Sequence, residues 1–152
     1  MSAGNDVLKR IRAFWGGYER WEGEPLKLEA PARKRWRVYC GEGRFDPAKM
    51  NGARHQTTGV VVNFQINGAE DRIQDFELCV VWLEPSWSLM FHLDPKRERW
   101  PEHPLHHIQF QPPQLCMGIP PFAAWRVPFG ESDPVRLLEF IVHRLDADTE
   151  SG

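Results

Sequence analysis

Four of the six histidines in the chain, His92, His103, His106 and His107, fall in the stretch Trp87–Gln111. Imidazole changes charge between about pH 5 and 8 and is also the commonest metal ligand. Histidines gathered in one segment therefore raise two chemistries, proton transfer and metal binding. Which of them is open depends on where the backbone aims the rings.

The pattern around them is that of a β-hairpin. Trp87, Leu89, Phe91 and Leu93 alternate with Ser88, Met90, His92 and Asp94. This period of two marks a half-buried strand. Ile108 and Phe110 alternate with His107, Gln109 and Gln111 in the same way. Between them, Pro95–Pro104 is charged and proline-rich, which predicts a loop. Placing all the large apolar groups on one face fixes the register: Phe91 opposite Ile108, Leu89 opposite Phe110, Leu93 opposite His106. A slip of one residue would mix the faces. The same register sets His92 opposite His107 on the face away from the core, with Cβ atoms roughly 4.5–5.5 Å apart.

Three readings of that pair follow. In the first, His92 and His107 bind a zinc-like ion with one of Asp94, His103 or His106. His106, however, points to the opposite face from His107. In the second, His92 and His107 are the catalytic acid and base, and an arginine (Arg126, Arg54 or Arg97) holds an anion. That chemistry needs no metal and suits RNA, whose 2′-hydroxyl is an internal nucleophile. In the third, His103-Pro104 shapes a turn, His106 hydrogen-bonds at the core rim, and His92 and His107 stack with nothing bound. The third is the commonest outcome for histidines clustered in strands. The protein would then act through its surface, at the Trp100 loop, Gln109 and Gln111, and the apolar lip Pro112–Pro121. No glycine-rich phosphate loop, GxSxG elbow or HExxH helix is present.

Composition narrows the class. At 152 residues the chain suits a single domain, residues 1–152. Seven Trp and nine Phe supply ample core material. A formal charge of −2 argues against a generic polyanion binder. Cys40, Cys79 and Cys116 form no CxxC pair, and an odd, scattered set suits a reducing cytosol. Lys9, Arg10 and Arg12 interrupt any signal-like apolar run near the N-terminus. No apolar stretch approaches the roughly 20 residues of a membrane span.

The elements that must position the hairpin can be read in order. Asn5 is expected to cap a helix carrying Val7, Leu8, Ile11, Phe14, Trp15 and Tyr18 on one stripe, ended by Gly16-Gly17. Gly23–Ala32 reads as a connector. Arg33–Cys40 interleaves cations with aromatics, a pattern that could clamp single-stranded nucleic acid. Its simpler reading is an edge strand with Trp36, Val38 and Cys40 facing in. Phe45–Thr58 reads as a long loop. Gly59–Ile66 is a strand, Asn67-Gly68 a turn, and Arg72–Leu83 a strand whose second half is apolar on both faces. Glu84-Pro85-Ser86 turns into the histidine hairpin, which completes a four-stranded meander. Ala123–Val127 is a further short strand. Asp133 and Pro134 start a second helix through Val135, Leu138, Ile141, Val142 and Leu145, and the tail from Asp146 should fray.

The fold expected is α+β: a twisted antiparallel sheet of five or six strands with the N- and C-terminal helices on one face. The function expected is a cytoplasmic binding or accessory module with a protein partner and no membrane contact. The alternative is a histidine-dependent phosphodiesterase acting on RNA. Neither calls for a cofactor or a metal.

Overall fold

The structure, a computed structural model, describes residues 3–32, 34–42, 45, 46, 48–83, 86–100, 102, 104–111 and 126–151. Arg33, the Glu84-Pro85 turn, His103, the Pro112–Pro121 lip and Trp125 lie outside the described residues.

Two helices bracket the chain. Helix α1 spans Ala3–Trp15 and buries Val7, Leu8, Ile11 and Trp15. Gly16 and Gly17 follow at φ 73° and 58°, a left-handed pair that breaks the helix into a 3-10 turn. Asn5 sits inside α1 rather than capping it, because the helix starts two residues earlier. Helix α2 spans Pro134–Ser151. Its cap is as expected: Asp133 Oδ1 accepts from the Val135 N–H at 2.9 Å. Val135, Leu138, Ile141, Val142 and Leu145 are buried, and Leu137 joins them. The expected fraying from Asp146 is corrected: the backbone stays helical to Ser151. Asp146 itself is tied to Arg20 and His55.

The sheet has nine strands among the described residues: β1 (Trp21–Gly23), β2 (Lys27–Ala32), β3 (Arg35–Cys40), β4 (Ala53–His55), β5 (Val61–Ala69), β6 (Arg72–Leu83), β7 (Ser86–Leu93), β8 (His106–Gln111) and β9 (Arg126–Pro128). Their order is β1-β4-β5-β6-β7-β8-β9, with β3 also on β5 and β2 outside β3. Every pair is antiparallel. The β5–β8 meander is the one expected. The larger count arises because β1, β2 and β4 lie in or beside segments read as connector and loop. β1 and β4 are three residues each, too short to show alternation, and β2 carries Pro31. Cross-strand pairing makes them strands. It also moves β3 from the edge to the interior, although Trp36, Val38 and Cys40 face the core as expected.

Asn67-Gly68 is not a turn. β5 runs on to Ala69, and the chain reverses at Glu70 and Asp71. Glu70 takes the left-handed conformation, φ 55°. Gly68 has a different task. A Cβ there would overlap the indole of Trp36, which lies across the glycine. Gly4 of α1 approaches the same indole from the other side, where a Cβ would sit 2.9 Å from Cγ. The Trp36 Nε1–H donates to Glu70 O at 3.0 Å. Two glycines thus clear a slot for one tryptophan that joins helix to sheet.

The two sheet faces differ. Both helices pack on one face, where Trp36, Val38, Phe64, Ile66, Leu78, Val80 and Phe91 meet Ile11, Trp15, Leu138 and Ile141. The other face holds a smaller apolar group, Val61, Cys79, Val81 and Met90, overlaid by Phe45 and Met50 from the loop before β4. This group accounts for the two-sided burial of the second half of β6. No described helix is long and apolar enough to cross a membrane.

Candidate functional site

The β7–β8 register is the one the sequence dictates: Leu89 pairs with Phe110, Phe91 with Ile108, His92 with His107 and Leu93 with His106. The rings of His92 and His107 stack with centroids 5.0 Å apart and planes within 12°. His107 is 1% exposed. Its Nδ1 lies 2.9 Å from the Pro104 carbonyl, which can only accept, so Nδ1 carries the proton. Nε2 is then the acceptor in the neutral ring. His92 is half-buried, with Glu77 of β6 opposite it on its other side. The stack closes the base of the loop between β7 and β8, where the Asp94 N–H also donates to Leu105 O at 3.1 Å.

These contacts give a stability prediction. His107→Ala removes a buried ring, a stacking partner and the ring's bond to the Pro104 carbonyl. The loss should be about 2 kcal/mol, combining a cavity with an unpaired buried acceptor. Urea unfolding of the variant measures it, and a change within about 0.5 kcal/mol would show that the stack carries no structural weight.

The remaining site residues disperse. Among the described residues, no three His, Cys, Asp or Glu side chains converge as metal ligands. His106 turns to the helix face, where its Nε2 is buried and unbonded. Arg54 is on β4, three strands from β7, or about 14 Å at ordinary strand spacing. The Arg126 backbone pairs with Gln109, two steps along the ladder from the His107–Pro128 pair. The side chains of Arg126 and Arg97 lie outside the described part.

Around His92 the helix-free face is polar. The registers align Lys27, Tyr39, Gln65, Glu77, His92 and His107 in one row across β2, β3, β5, β6, β7 and β8. Tyr39 O–H donates to Glu29 Oε1 at 2.6 Å, and the Arg37 guanidinium lies over the Tyr39 ring and donates to Gln65 Oε1. The bond to Glu29, then burial and the carboxylate's charge, push the phenol pKa up.

A second histidine cluster escaped the sequence reading. His55 is 2% exposed and packs edge-on against Trp21. Its Nδ1 accepts from the Thr58 N–H at 3.3 Å and lies 2.9 Å from Thr58 Oγ1. Its Nε2 lies 3.3 Å from Asp146 Oδ1. Nε2–H therefore donates to the carboxylate. The chain hydroxyl–imidazole–carboxylate has the outline of a nucleophile triad. Its surroundings assign it to structure. The Val60 N–H donates to the same hydroxyl, and the adjacent Gly59 N–H is spent on His55 O. The cluster pins the β4–β5 turn to α2. His-x-x-Thr-Gly was a legible turn signal, but Asp146, 91 residues away, was not.

The cysteines fit packing rather than nucleophilic roles. Burial pushes the Cys40 and Cys79 thiols up to about 12, with Glu24 and Glu77 respectively adding to the shift. The Cys40 thiol donates to Glu24 O at 3.4 Å. Cys116 lies outside the described residues. No protein-family model, curated protein or solved structure matches the chain.

Proposed function

We propose that the protein is a binding module that engages a protein partner through its β7–β8 loop, with Trp100 as the anchor. The observation that carries this reading is the 70% exposure of Trp100, the highest among the exposed large apolar side chains described. Tryptophan is enriched at binding hot spots, where one ring fills a pocket on the partner. Its loop is braced at the base by the Asp94–Leu105 and His107–Pro104 bonds, and Arg99 and Glu102 pair across its tip at 3.8 Å. An anchor on a braced loop loses less entropy on binding.

The sheet edges support side-chain rather than strand-to-strand contact. The outer edge, β2, carries Lys27, Glu29 and Pro31 and an irregular register between Glu29 and Ala32. The opposite ends of the order, β1 and β9, are three residues long. Short, charged or proline-bearing edges resist pairing with another strand.

The phosphodiesterase alternative needs both imidazoles within reach of a substrate. The burial of His107 gives it less support, since a ring 1% exposed offers a ligand almost no surface. Incubating purified wild-type and His92→Ala proteins with a short single-stranded RNA separates the two readings. The module reading expects no cleavage above buffer from either. Cleavage by wild type that is lost in a folded His92→Ala protein would replace the module with an enzyme.

A further inference from the structure

We infer that a groove at the β3–β6 end of the helix-free face binds a small organic phosphate. The groove holds about 410 Å3, and Arg35, Arg72 and Lys96 line it together with Ile73, Asp75 and Pro95. That volume falls in the ordinary range of small-ligand sites.

The registers explain how the cations come together. Arg35 of β3 pairs with Ala69 of β5, and Ala69 pairs with Arg72 of β6. The two arginines therefore stand two strand spacings apart, about 10 Å, on the same face. Only a methyl group lies between them, so the floor is low and both guanidinium forks can reach one ligand. Lys96 comes from the 3-10 turn Pro95–Arg97 that follows β7. The β6 register shifts here, since Asn67 pairs with Asp75 and Gly68 with Ile73, leaving Gln74 as an extra residue. A bulge of this kind re-aims neighbouring side chains and is over-represented beside binding sites.

The charges point to the ligand class. Among the described residues, none of Arg35, Arg72 and Lys96 is in an ion pair. By contrast, Lys34 and Arg37, which flank Arg35 in sequence, face Glu70 and Glu29 at 3.6 and 3.7 Å. Among the described residues lining the groove the one carboxylate, Asp75, accepts from Asn67 Nδ2 at 2.7 Å. Three cations thus oppose one anion, and their mutual repulsion falls when a second anion enters. Arginine forks match the oxygens of a phosphate, and lysine adds a point charge. Pro95 supplies an apolar surface for the body of an organic phosphate. The formal charge of −2 over the whole chain favours a compact anion over a long polyanion.

The test is calorimetric titration of the full chain at low salt with adenosine 5′-monophosphate, inorganic pyrophosphate and neutral adenosine. Both phosphates should bind and adenosine should not. Arg35→Gln and Arg72→Gln should each weaken binding by about tenfold, the loss expected of one charged hydrogen-bonding partner. Asp75→Asn should tighten it severalfold, a change of sign that general destabilisation cannot produce. All three side chains are at the surface or half-buried, and their urea midpoints should match wild type. The inference is overturned if neither phosphate binds below about 10 mM, or if both arginine variants bind as wild type does. It is also overturned if a short single-stranded RNA binds through Arg72 while both small phosphates fail, which would make the groove part of a polynucleotide track.

Discussion

Gly68→Ala should destabilise the protein by about 3 kcal/mol, one of the largest losses available from adding a single methyl group. Gly68 is not in a left-handed conformation, so backbone strain is not the cause. The cause is the Trp36 indole, which occupies the space where the methyl would go. The indole has no easy retreat. It is 5% exposed, held through Nε1–H to Glu70 O, and closed in from the helix side by Gly4. Displacing it forfeits part of a buried tryptophan's packing and opens a gap between α1 and the sheet. For a domain of this length the unfolding midpoint should fall by roughly 10 °C. A double-mutant cycle identifies the mechanism. Once Trp36→Leu has removed the indole, Gly68→Ala should cost little more, because residues that share one contact are not additive. Full additivity of the two changes would show that Gly68 serves some need other than the tryptophan slot.

The sequence reading of this glycine failed in an instructive way. Asn-Gly between two alternating segments is a hairpin signal because glycine tolerates positive φ. The same residue also permits close approach, and no local pattern tells the two uses apart. What decided the matter was Trp36, in a strand more than thirty residues earlier. β1, β2 and β4 were missed for the same reason. Each depends on a partner strand more than on its own periodicity, and the proline in β2 argues locally against a strand.

The histidine hairpin was legible because burial on one face admits a single register. Placing Phe91, Leu89 and Leu93 against Ile108, Phe110 and His106 left His92 no other partner than His107. The depth of His107 was not legible. Its ring was expected only to lie on the face away from the core, yet it is buried and bonded to Pro104. The His55 cluster was invisible because it joins a turn to a helix at the far end of the chain. The arginine pair across Ala69 depended on a strand, β5, being longer than its turn signal allowed.

Trp100 carries the central claim, and the largest expected effect on function. Its side chain is mostly in water, so Trp100→Ala should leave the unfolding free energy within about 0.5 kcal/mol of wild type. In a complex the same truncation should remove a hot spot, typically at least 2 kcal/mol, or about thirtyfold in Kd. The most direct measurement uses wild-type and Trp100→Ala proteins side by side as baits, followed by titration of the partner that wild type retains. The module reading predicts a partner whose affinity falls about thirtyfold or more for the variant, with both proteins equally folded. A partner that binds the two proteins with the same Kd would contradict it and remove the β7–β8 loop from the interface.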